Sequence, residues 1–110
     1  VSTLHELKTD AKSFHNIWHS RKTFELRPDD RGFKIGDVLH LKELRAPEQI
    51  AKFELRDQEI FTGRTLLALV VYVLRDAPEY GLASGYAAMS LKLLTRLENE
   101  SPCGMEGAGS

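Results

Sequence analysis

The uncharged stretch from Leu66 to Leu74 does most to narrow what this chain can fold into. It is about half the roughly 20 residues that a membrane-crossing helix requires. Leu and Val fill it with little polar interruption, so Thr65 to Leu74 reads as a strand covered on both sides. Periodicity over so short a run also fits a buried helix, and the strand is preferred. A chain of 110 residues has room for one such core and not for two.

The remainder supplies partners for that strand. Leu4-His5-Glu6-Leu7-Lys8 is read as alternating apolar and polar like a half-buried strand, and Thr9-Asp10 after it is a natural helix cap. A helix is predicted from Ala11 to His19, with Phe14, Ile17 and Trp18 on one face and Lys12, Asn16 and Ser20 turned outward. Lys22 to Arg27 alternates again: Phe24 and Leu26 go to one face, Glu25 and Arg27 to the other, and Pro28 ends the strand. Asp29 to Phe33 reads as a turn and Val38 to Lys42 as a strand. Between Arg45 and Arg64 the signals conflict. Pro47 to Leu55 suits a short helix and Glu54 to Phe61 a strand, with Thr62-Gly63 a turn in either case. Tyr80 to Gly85 is a glycine-containing loop, and Ala87, Met89, Leu91 and Leu93 alternate along a last strand. The expectation is an α+β domain over residues 1–98, a small β-barrel of about five to six mostly antiparallel strands sealed by one N-terminal helix, followed by a flexible tail at 99–110.

Composition places limits on function. The apolar share of 42% and the charged share of 28% are those of an ordinary globular protein. A net charge of -1 argues against a surface that is phosphate-binding throughout. The distribution is uneven, however: residues 1–45 carry nine Lys or Arg against seven Asp or Glu, and residues 76–110 carry two against five. A positive face, if present, belongs to the N-terminal half, which also holds all four histidines. The single cysteine, Cys103, can form neither an internal disulfide nor a cysteine zinc site within one chain. With no secretory hydrophobic core at the N-terminus and no membrane helix, the chain is expected to be soluble and cytoplasmic. No cofactor is expected.

The densest polar cluster is Ser20-Arg21-Lys22-Thr23-Phe24-Glu25-Leu26-Arg27, followed by Arg31 and by Gly36-Asp37. Glu25 and Arg27 share a strand face, and Lys22 sits where the chain leaves the helix. An arginine fork gives two parallel hydrogen bonds to a phosphate or base edge, a lysine adds a mobile charge, and a carboxylate accepts from an exocyclic amine. The competing reading is an ion network on a solvated strand face that contributes little. His15 and His19 have the i, i+4 spacing of a metal pair, but no third ligand accompanies them and no metal site is assigned. Trp18 reads as core, while Tyr80 and Tyr86 flank a loop from which they can either stack on a base or cover the end of the barrel.

The run from Ser20 to Arg27 resembles the Gly-x-Lys-x-x-Glu-x-Arg signature of the ASCH domains, with Lys22, Glu25 and Arg27 in register and Ser20 in place of the glycine. His5-Glu6-Leu7-Lys8, Asp30-Arg31-Gly32-Phe33-Lys34-Ile35-Gly36-Asp37 and Thr62-Gly63-Arg64 look like a bacterial and phage branch of that superfamily, and the resemblance spans about residues 4 to 95. It implies a PUA-like barrel with a cleft beside the signature and RNA or nucleoside recognition; Lys8, Lys22, Glu25, Arg27, Arg31, Arg64 and Tyr86 are expected to bind RNA or a modified nucleoside or nucleotide there. Some ASCH proteins release acetate from N4-acetylcytidine and others are credited with ribonuclease activity. In the amidohydrolases the signature lysine is catalytic, which carries over to Lys22. Their second catalytic position is a threonine where this chain has Glu25, and their further glutamate has no counterpart here. A Lys22 paired with Glu25 is a better binder than a base. The expectation is therefore a binding module, with a hydrolase centred on Lys22 and Glu25 as the alternative and a small protein-interaction module as a third reading.

Overall fold

In the computed structural model, which describes residues 2–98, Asp10 starts the expected helix by accepting a hydrogen bond from the Ser13 amide at 3.0 Å. That helix, α1 (Ala11–Trp18), buries Phe14 and Ile17 completely and rests Trp18 on the core edge. It follows strand β1 (Leu4–Thr9) and leads into β2 (Phe24–Pro28). The chain continues through β3 (Val38–Leu44), the short helix α2 (Pro47–Lys52), and the long strands β4 (Phe61–Arg75) and β5 (Tyr86–Glu98). The five strands form one sheet in the order β1-β3-β4-β5-β2, with β1 parallel to β3 and every other neighbour antiparallel. The architecture is thus α+β, a mixed sheet curled into a half-barrel whose inner face carries α1. The expectations for the tail at 99–110 and for Cys103 lie outside the described residues. Among those described, no helix is long and apolar enough to cross a membrane.

The core consists of Leu7, Phe14, Ile17, Leu39, Leu41, Leu66, Ala68, Val70 and Met89, with Phe33 reaching in from the loop before β3. Along β1 the inward residues are His5, Leu7 and Thr9, so Leu4 is exposed and His5 takes an interior position. The uncharged stretch is a strand, as preferred, with one face fully buried and the other only partly covered, Leu67 and Leu69 being half-buried. Leu66, Ala68 and Val70 are fully buried, whereas Val71 and Tyr72 are 43% and 56% exposed. A bulge between Val70 and Tyr72 reverses the alternation there, so Val73 packs on the core opposite Met89.

Thr62-Gly63 is not a turn. Both residues lie within β4, where pairing shifts from Lys42 opposite Thr65 to Leu44 opposite Phe61. Gly63 occupies this irregularity at φ 99°, a conformation that side-chain-bearing residues rarely adopt. The preceding segment resolves as α2, with Pro47 in its first turn, and a 3-10 turn at Asp57–Ile60.

Candidate functional site

The largest departure from expectation is at β2. Alternation separates Phe24 and Leu26 from Glu25 and Arg27 as predicted, but the charged pair faces the interior. Phe24 and Leu26 are 50% and 51% exposed, while Glu25 is 3% exposed. Register explains this: Glu25 stands opposite Met89 and Arg27 opposite Ala87, both inward residues of β5. The reading of a solvated ion network is therefore corrected to that of a buried carboxylate held by two cations.

Glu25 accepts from Arg27 Nε at 2.7 Å, and Lys22 Nζ lies 3.8 Å away on its other oxygen. Lys22 also donates to the Ser13 hydroxyl on α1 at 2.9 Å, and its positive charge helps hold Asp10 below the usual carboxylate range, after the larger effect of the Ser13 amide. Arg27 reaches past Glu25 to the carbonyl of Lys8 at 2.7 Å and the Thr9 hydroxyl at 3.3 Å. Arg31 does likewise one step along, donating to the Glu6 carbonyl at 3.0 Å. Two arginines thus bridge the seam between β1 and β2, the sheet edges that no ladder joins.

Both edges leave backbone groups facing this seam. The bonds Leu91 N–H to Thr23 and Asp29 N–H to Gly85 set the phase of the β2–β5 ladder. Bonded and open residues alternate in such a ladder, so the backbones of Phe24 and Leu26 point to the seam. Pro28 shares that phase, at a position where its missing N–H costs nothing. The seam is thus a slot whose free backbone groups are those of Phe24 and Leu26 on β2, the Glu6 and Lys8 carbonyls of β1 being taken by Arg31 and Arg27, with Lys22, Glu25 and Arg27 at its inner end.

A second inward carboxylate continues the polar line. Glu43 neighbours Thr9 in the β1–β3 pairing and accepts from Arg64 at 2.9 and 3.0 Å and from Thr62 at 2.7 Å. Burial works against its ionisation, but these bonds and the Arg64 charge outweigh it and lower its pKa. The same hydrogen bond raises that of Arg64, whose guanidinium lies 4.8 Å from the Trp18 ring centre. At the opposite end, buried Asp37 accepts from the His5 ring at 2.9 Å and from the amides of Thr3 and Lys34. Here too burial opposes ionisation and the bonds prevail, so the Asp37 pKa is lowered.

Lys22, Glu25, Arg27 and Arg31 therefore meet at the seam. Lys8 contributes its carbonyl there, but its side chain is on the outward face of β1. Arg64 is tied to Glu43 beneath α1, and Tyr86, 40% exposed, lies on the outward phase opposite Pro28. Sequence reasoning does not single out Ser13 or Glu43; it places Thr9 only with the helix cap and Asp37 only at the end of the polar cluster. Glu43 was within reach of it, being in phase with Leu39 and Leu41 one step past where the strand was ended. A separate recess of about 260 Å³ between α1 and α2 has an almost wholly apolar wall, including Ala11, Leu44, Pro47 and Ile50, and lacks convergent polar groups that would orient a ligand. Among the described residues no three metal-ligating side chains converge.

No curated protein matches the chain. A family model, the domain of unknown function DUF3850, matches residues 4–91, a span running from the first residue of β1 through the seam and into β5. The chain belongs to the DUF3850 family.

Proposed function

We propose that this chain is a PUA-like, ASCH-related binding module that holds a nucleotide or modified nucleoside in the seam between β1 and β2. The observation that carries the reading is the burial of Glu25 between Lys22 and Arg27 at the inner end of an unpaired strand slot. A carboxylate stripped of water needs partners, and here the partners are cations that remain 21% and 23% exposed at the slot. Glu25 fixes Arg27 in one orientation and leaves Nη1 free of protein partners among the described residues. Lys22 keeps donors beyond the one given to Ser13. The two N–H bonds of Arg27 Nη1 beside the Lys22 ammonium suit a phosphate oxygen or an acceptor atom on a base. The unpaired backbone groups of Phe24 and Leu26 on the β2 edge add hydrogen bonds to a base edge.

Titration of cytidine, N4-acetylcytidine and cytidine monophosphate into the protein tests this, with cytidine release from the acetylated nucleoside followed in parallel. Lys22→Ala is expected to weaken binding about ten- to hundredfold, the value of a charge-assisted hydrogen bond, and to lower the melting temperature only modestly, because Arg27 stays paired with the buried Glu25. Equal affinity in the variant would sink the reading. Turnover by the wild type that Lys22→Ala abolishes would replace the binding module with a hydrolase at the same place.

A further inference from the structure

From Ala11 to Phe24 the chain contains Lys12, His15, His19, Arg21 and Lys22 and no acidic residue, although the whole protein carries a net charge of -1. The fold gathers this segment onto one surface. Lys12, His15 and His19 are exposed along α1, the two imidazole rings lie with centres 4.5 Å apart, and Arg21 is exposed in the turn that follows. Arg96 arrives from β5, donating to the Trp18 carbonyl at 2.7 Å and reaching the Ser20 hydroxyl at 3.4 Å. A cation at the C-terminal end of a helix is favoured by the helix dipole, so Arg96 is held there independently of any ligand.

The groups are close enough to act on one another. Partial desolvation and then the positive charges of His15, Arg21, Arg64 and Arg96 hold the His19 imidazole below its ordinary pKa. The carboxylates near this surface offset little of it. Glu43 is occupied by Arg64, Glu98 acts on Arg64 from the end of β5, and Asp10 caps the far end of α1. Like charges crowded without acidic partners repel unless a polyanion covers them.

We infer that the exposed face of α1 and the turn after it form a contact surface for the phosphates of a single-stranded nucleic acid, one of whose nucleotides occupies the seam. This extends the proposed function and rests on it for the seated nucleotide. The placement fits: Lys22 links the two areas, since its amine bonds Ser13 on α1 while it flanks Glu25 at the slot. From Ser13 to His19 the helix axis advances about 9 Å, and successive phosphates of a stacked strand advance about 3.4 Å along its axis. Two to three phosphates thus span the surface, and the strand must be unpaired to give up one base to a slot between two strand edges.

The test compares a mixed-sequence single strand of about twelve nucleotides with cytidine monophosphate, across a salt series, in the wild type, Lys22→Ala, and the double variant Lys12→Glu with Arg21→Glu. Neither side chain of the double variant makes a hydrogen bond among the described residues, and thermal melting checks that it folds. The expected result is that the double variant binds the oligonucleotide at least about tenfold more weakly and flattens the log-affinity against log-salt slope by about 1.4, roughly 0.7 per lost contact. Affinity for the mononucleotide should not change. RNA and DNA strands should lose equally, because the phosphates are common to both. Wild-type affinity and slope in the double variant would overturn the inference while leaving the seam reading intact. Failure of the wild type to bind any oligonucleotide would also overturn it, and mononucleotide binding would then show whether the seam reading survives. Oligonucleotide binding lost in the double variant and kept in Lys22→Ala would uphold the surface and remove the seam.

Discussion

Strands β2 and β5 lie side by side, obey the same period of two, and bury opposite kinds of residue. In β5 the inward positions are Ala87, Met89, Leu91 and Leu93, and the outward ones include Ser90 and Lys92. In β2 the inward positions are Glu25 and Arg27 and the outward ones Phe24 and Leu26. Glu25 and Met89 are direct cross-strand neighbours, a carboxylate and a thioether at 3% and 1% exposure. Alternation tells which residues share a face; which face is inside is decided by pairing. β2 pairs with β5 alone, so it follows the phase of β5 even at the cost of exposing two large apolar side chains.

The largest effect that bears on this contrast comes from Glu25. In Glu25→Ala the Arg27 guanidinium loses its carboxylate while remaining partly buried. Removing one partner of a fully buried pair costs about 3–5 kcal/mol; with Arg27 still 23% exposed, a loss of about 2–3 kcal/mol is expected in urea unfolding. A loss under about 0.5 kcal/mol, the value typical of a surface ion pair, would mean that β2 has its charged face in solvent after all.

The effect of acid is the next in size. Asp37 and Glu43 are inward carboxylates like Glu25, and both are held below their ordinary values of 3.8 and 4.5. A lowered folded-state pKa means that the unfolded chain takes up protons first as pH falls. The stability from these groups is complete above about pH 5.5 and drains away as pH falls through the ordinary carboxylate range and below it. The urea midpoint should therefore drop below about pH 5, and Asp37→Asn should start lower at neutral pH and fall less steeply. An equal slope in that variant would show that Asp37 does not anchor the loop before β3.

Much of this fold was legible in the sequence. The cap at Asp10, the α1 face of Phe14 and Ile17, and the alternation of β5 are local signals, and they correspond to what forms. The resemblance grouped Lys22, Glu25 and Arg27, and the structure brings them together. What could not be read depends on contacts distant in sequence. Thr62-Gly63 looks like a turn because glycine tolerates positive φ in a turn and in a strand irregularity alike. The burial of His5 depends on Asp37, 32 residues away, and that of Glu43 on Arg64, 21 residues away. A polar residue at an inward position carries no local sign of its burial, because its partner lies on another strand.

The smallest expected effect is also the most direct check on orientation. Leu26 is an apolar residue in a strand, opposite Ala88, and by sequence alone it belongs to the core. At 51% exposure it buries only part of its side chain, so Leu26→Thr exchanges modest apolar contact for a hydroxyl that water can satisfy. Threonine, branched at Cβ, favours an extended backbone. The net change should stay within about 0.5 kcal/mol, or roughly 2–4 °C in the melting temperature of a domain this size. A core leucine replaced by threonine would instead leave a cavity containing an unpartnered hydroxyl and cost several times more. A thermal melt of this one variant thus distinguishes the two orientations of β2. A loss above about 2 kcal/mol would place Leu26 inside, put Glu25 and Arg27 in solvent, and take away the buried carboxylate on which the seam depends.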